Sequence, residues 1–114
     1  MNWKPLTSTN DLVTLIDRSY NQPQVIFKHS TRCATSSMAK NRLEKSGDAG
    51  NIEFSLLDVI AQRPLSAQVA ESLDVWHESP QAILIINGKS VYDESHISIR
   101  MDEIKEQCSA QEKR

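Results

Sequence analysis

Only two cysteines occur in this chain of 114 residues, Cys33 and Cys108, too few for the disulfide framework of a small secreted domain. The three histidines, His29, His77 and His96, are scattered, and with the cysteines they form no cluster of metal-ligand spacing, so no metal site is expected. Neither sign of charge dominates: 13 Lys+Arg against 15 Asp+Glu leave a net charge of −2. A phosphate-tracking surface is not suggested and no basic block restores one, so nucleic acid is not an expected partner. No apolar run approaches the ~18 residues needed to cross a bilayer, and the first residues lack the apolar core of a secretory signal. A cytoplasmic protein without membrane contact is expected.

What is present is enough for one modest core. A hydrophobic content of 39% over this length predicts a single domain over residues 1–114, with 109–114 a frayed polar tail. Ser8 or Thr9 can cap a first helix carrying Leu12, Val13, Leu15 and Ile16 at three- and four-residue spacing. Residues 24–29 read as a strand, Cys33 to Lys45 as a second helix ended by the Ser46–Gly50 loop, and Ile52 to Val59 as a second strand. Pro64 suits the first turn of a third helix with the stripe Leu65, Val69, Ala70 and Leu73. After Ser79-Pro80 comes the strongest strand, Ala82–Ile86. Asn87-Gly88 turns it into a shorter one, Ser90–Tyr92. Ile97, Ile99, Met101, Ile104 and Cys108 mark a last helix. Trp3 and Trp76 read as packing anchors, and Trp76, just before Ser79-Pro80, is also a candidate border of a binding groove.

The order α-β-α-β-α-β-β-α implies a right-handed parallel crossover followed by an antiparallel hairpin. That is the order of the thioredoxin fold: a mixed sheet of about four strands sandwiched by helices. Cys33 then falls at the carboxyl end of the first predicted strand, where α/β sheets place their sites. Unpaired N–H groups and the dipole at the start of the next helix favour a negative charge there, and the thiolate is the reactive form of cysteine. Ser36 stands three residues on, where a dithiol enzyme has its second cysteine, so the site reads C-x-x-S.

The run Phe27-Lys28-His29-Ser30-Thr31-Arg32-Cys33-Ala34-Thr35-Ser36 resembles the active-site stretch of the monothiol bacilliredoxins, the YtxJ family of thioredoxin-like proteins. The segment Ser79 to Lys89 is similar to the family's proline-strand-hairpin segment, and the resemblance extends from the Trp3 region to the final helix. One position departs: Ala34 follows the cysteine where the family usually has proline. The resemblance implies reduction of mixed disulfides between proteins and bacillithiol, a small anionic thiol serving as co-substrate. It implies no tightly bound cofactor, and S-bacillithiolated proteins as partners of a monomer.

On this reading Cys33 is the nucleophile. Ser36 is expected to donate a hydrogen bond to its thiolate, and Arg32 to stabilise that charge or meet a carboxylate of bacillithiol. Thr31, Thr35, Ser79 and Pro80 are the expected substrate-binding residues. The family pattern makes Ser79–Pro80 a cis peptide facing the cysteine, leaving backbone near residue 79 free to pair with a substrate chain. His29, ending the strand, is a candidate proton donor. Lys40, two turns along the helix, reads as a surface charge. Two other functions fit the same sequence: an iron–sulfur carrier like the monothiol glutaredoxins, and a non-catalytic thioredoxin-like interaction domain in which Cys33 is incidental.

Overall fold

The computed structural model describes residues 1–112. The strands are β1 (Trp3–Pro5), β2 (Gln24–His29), β3 (Glu53–Asp58), β4 (Gln81–Ile86) and β5 (Lys89–Ser95). The helices are α1 (Thr9–Arg18), α2 (Ala34–Lys45), α3 (Arg63–Leu73) and α4 (Met101–Glu112), and a single 3₁₀ turn, His96–Ser98, precedes α4. The strands form one sheet in the order β1-β3-β2-β4-β5. β1, β3 and β2 run parallel, while β4 is antiparallel to β2 and β5 to β4. This is the mixed α/β sandwich expected, with a fifth strand, β1, at the edge.

Alternation in the strands divides the core between two faces. Val25 and Phe27 of β2 join Ala39 and Leu43 of α2, and Met101, Ile104 and Cys108 of α4. Ile26 joins Leu12 and Leu15 of α1, and Leu65, Val69 and Leu73 of α3. Successive β2 side chains therefore serve opposite layers, as a period of two requires. Ser8 caps α1 by accepting from the Asp11 N–H at 3.0 Å. Asn87 (φ 54°) and Gly88 (φ 78°) both occupy the left-handed region, the signature of a type I′ hairpin turn. That turn docks on the end of α1, where the Gly88 N–H donates to Ser19 Oγ at 2.8 Å.

Three expectations change. Trp76 is 90% exposed rather than a packing anchor. Ile97 and Ile99 precede α4 instead of belonging to it, because His96 takes φ 58° and the chain makes a 3₁₀ turn there. Ile97 is consequently exposed, while Ile99 is buried. α4 runs on through Glu112, so 109–112 of the predicted tail are helical, and 113–114 lie outside the described residues. No helix among the described residues is long and apolar enough to cross a membrane.

Candidate active site

The carboxyl ends of β2 and β3 meet in register at His29 and Asp58, and β4 starts beside them, Gln81 opposite Lys28. The sequence-predicted site residues gather at this end: His29 closes β2, Thr31 to Cys33 lie in the connection after it, Thr35 and Ser36 are in the first turn of α2, and Ser79 and Pro80 precede β4.

Cys33 is the N-cap of α2, in extended conformation (φ −112°, ψ 119°). Its N–H closes a turn onto Ser30 O at 3.2 Å, and its carbonyl accepts the first helical bond, from Ser37 N–H at 3.1 Å. The thiol is half-buried, makes no capping hydrogen bond, and the first turn of α2 has no acidic residue. The positive end of the helix is thus left without a neutralising side chain. Thr31 and Arg32 are exposed and Thr35 is half-buried around it.

Ser36 is fully buried, and its hydroxyl is engaged away from Cys33. Ser36 Oγ lies 2.6 Å from His29 Nδ1 and accepts the Ser30 N–H at 3.0 Å. The expected Ser36–Cys33 hydrogen bond is absent; the hydroxyl instead fixes His29 and the start of the loop. His29 stacks on Phe27 with ring centroids 5.9 Å apart. Burial, aided by Lys40, pushes the His29 imidazole below its ordinary value against the pull of Asp58 and Glu44, so it is neutral at pH 7. Lys40 is tied to Glu44 at 2.7 Å and lies over the Trp3 ring, 5.7 Å from its centroid.

Across the loop, Ser79–Pro80 is cis, as expected. Pro80 is buried, and its carbonyl accepts the His96 N–H at 3.0 Å. Ser79 Oγ is buried with no hydrogen-bond partner among the described residues.

The structure adds residues that the sequence reading passed over. Lys28 is fully buried, yet its Nζ meets no carboxylate among the described residues. It lies 3.0 Å from His77 Nδ1 and donates to the Ser66 carbonyl at 3.4 Å. Burial lowers the Lys28 ammonium to about 8. Burial, then the Lys28 charge, also holds His77 below its usual range, so Nδ1 is free to accept. Gln81, fully buried too, donates to the Trp76 carbonyl at 2.9 Å and accepts from the Glu78 N–H at 3.4 Å. The signal was available in the sequence: alternation through Val25-Ile26-Phe27-Lys28 puts Lys28 on the same inward face as Ile26.

Cys108 is remote in environment and in chemistry. It is buried among Met101 and Ile104, and burial, then Glu112, pushes its thiol up to about 11. β5 ends beside the start of β4, so α4 begins near the site end of the sheet. Seven residues of helix then carry Cys108 roughly 10 Å along the axis from Met101.

Comparisons with known proteins agree on family and fold. The family model of the monothiol bacilliredoxin BrxC matches residues 4–104. A thioredoxin-fold protein described as an oxidoreductase superposes with a TM-score of 0.81 at 28% identity, covering 91% of each chain. Thioredoxin from Fasciola hepatica matches at TM-score 0.74 and 18% identity over 94% of this chain and 97% of its own. Thioredoxin from Trypanosoma brucei brucei gives 0.78 and 11% over 99% and 93%.

Proposed function

The chain belongs to the monothiol bacilliredoxin BrxC family, and from that premise we propose that Cys33 alone reduces mixed disulfides between proteins and bacillithiol. Family and fold together support a thiol oxidoreductase; the single-thiol mechanism and the choice of bacillithiol are our reading. The observation that carries it is the contrast around Cys33. Cys33 is half-buried at an uncapped helix start, Ser36 in the resolving position is committed to His29 and Ser30, and Cys108 is sealed in the core.

In the reaction the Cys33 thiolate attacks the bacillithiol sulfur of the mixed disulfide. A new Cys33–bacillithiol disulfide forms, the old bond breaks, and the protein thiolate leaves and takes up a proton. A second bacillithiol then attacks the bacillithiol sulfur held on Cys33, giving oxidised bacillithiol and the free Cys33 thiolate. Arg32 meets a carboxylate of the small thiol. Thr31 and Thr35 border it, and Ser79 with Pro80 receives the polypeptide side. The enzyme acts as a cytoplasmic monomer on S-bacillithiolated proteins, with bacillithiol as a co-substrate rather than a resident cofactor.

The test is release of a bacillithiolated protein thiol by wild type and Cys33→Ser, beside the same protein glutathionylated. Wild type should clear the bacillithiol adduct faster, and Cys33→Ser should clear neither. Equal or faster removal of glutathione would refute the choice of thiol, and an active Cys33→Ser would refute the nucleophile.

A further inference from the structure

Trp76 is the most exposed of the large apolar side chains among the described residues, at 90%, yet its backbone carbonyl is held by a fully buried side chain. Gln81, inside the sheet beside Pro80, grips the loop at the Trp76 carbonyl and the Glu78 N–H. Lys28, in the neighbouring strand and opposite Gln81 in register, holds His77 between them. Ser66 Oγ adds a contact to the same His77 nitrogen at 3.2 Å. Two fully buried polar side chains are thus used to fix three consecutive residues that themselves bury little. A buried lysine without a carboxylate is costly, and an exposed tryptophan gives the fold no packing in return. Fixing a loop in advance reduces the ordering cost of binding, and tryptophan is the residue most enriched where binding energy concentrates.

We infer that Trp76 is a specificity-determining contact for the polypeptide part of the substrate, and that Lys28 is a positioning residue acting on it through His77. The occupant is the chain flanking the disulfide-bonded cysteine. Trp76 lies on the same connection as Ser79 and Pro80, four residues before the cis proline at the end of the sheet that bears Cys33. The inference rests on Cys33 being the nucleophile, but not on bacillithiol being the small thiol.

The experiment uses a synthetic cysteine peptide with apolar flanks, disulfide-linked to thionitrobenzoate, beside the free disulfide of thionitrobenzoate. Cys33 attacks the peptide sulfur, the peptide–Cys33 disulfide forms, and coloured thionitrobenzoate leaves once per protein molecule. With peptide in excess, the single-turnover rate against peptide concentration gives a maximal rate and a half-saturating concentration. Trp76→Ala should raise the half-saturating concentration roughly ten-fold, with the maximal rate and the rate on the free disulfide unchanged. Lys28→Met and His77→Ala should each raise the same concentration about three-fold, and the double variant should be no worse than either single one. An unchanged half-saturating concentration in Trp76→Ala overturns the inference. So does an equal slowing of both substrates, which would mean that Trp76 serves Cys33 and not recognition. Additive effects of Lys28→Met and His77→Ala would remove the positioning role of Lys28. Wild type inactive on both substrates would instead refute the reading of Cys33.

Discussion

The two ends of the central sheet treat their polar groups in opposite ways. Where β2 and β3 begin, the Glu53 carboxylate collects Lys4 Nζ at 2.5 Å, Arg18 Nε at 2.8 Å and Nη2 at 2.6 Å, and Gln24 Nε2 at 2.7 Å. Burial alone would raise Glu53, but the bonds from Lys4, Gln24 and Arg18 overcome it and hold the carboxyl at about 2. Where the same strands end, Lys28 is buried with no carboxylate partner among the described residues, burial holds the His29 and His77 imidazoles below their ordinary value, and Ser79 Oγ has no partner among those residues. A closed set of partners stabilises the fold and leaves nothing for a substrate. An open set costs stability and leaves donors, acceptors and a thiol available for chemistry.

The sharpest break in that contrast is Cys33→Ser, expected to reduce mixed-disulfide cleavage to background, because a hydroxyl cannot replace the thiolate. Retained activity in a discontinuous thiol-release assay would move the chemistry elsewhere. At the closed end, Glu53→Gln should cost about 2 kcal/mol at pH 7, the shift from 4.5 to about 2 discounted for its half-exposed partners. The sign follows from the lowered carboxyl. Its stabilisation is complete above about 4.5 and is lost as pH falls towards 2. Urea unfolding between pH 7 and 3 should therefore show wild type and Glu53→Gln converging as acid is added; a constant gap would contradict the pairing.

Lys28 at the open end should behave in the reverse sense. Its folded value of about 8 lies below the ordinary 10.5, so the folded state holds fewer protons than the unfolded chain between those values. The burial penalty is present below pH 8 and is relieved as pH rises through that window. Wild type should gain on Lys28→Met by up to about 3 kcal/mol between pH 8 and 10.5, read by the same unfolding curves. No relative gain would mean that Lys28 is better solvated than its burial indicates. The smallest effect is expected from Ser36→Ala, which removes one hydrogen bond to His29 and one to Ser30. About 1 kcal/mol per bond, at most about 2 kcal/mol for the two, bounds the slowing of turnover at roughly thirty-fold. A loss as complete as that of Cys33→Ser would make Ser36 part of the chemistry.

The sequence revealed the open end unevenly. The junction at Cys33 was legible because it depends on local order: an apolar strand, a short loop and a helix start, read along the chain. The partner of Ser36 was not, since i,i+3 spacing pointed to Cys33 while the buried His29 ring competes for the same hydroxyl from the preceding strand. Trp76 misled because a large apolar residue ordinarily packs, and only the grip of Gln81 on its carbonyl and of Lys28 on His77 reveals a held, outward loop. In the fold, β2 through β5 carried apolar runs or a turn signal. β1 had neither: Trp3-Lys4-Pro5 is a strand because β3 offers it an edge, with Trp3 packed on Phe54 and Phe27.

The central claim, one reactive sulfur at the open end, is tested most directly by non-reducing peptide mapping with intact mass, after native protein meets oxidised bacillithiol. The account predicts a single bacillithiol adduct, on Cys33, with Cys108 a free thiol. An intramolecular Cys33–Cys108 disulfide in folded monomer, or an adduct on Cys108 in place of Cys33, would contradict it.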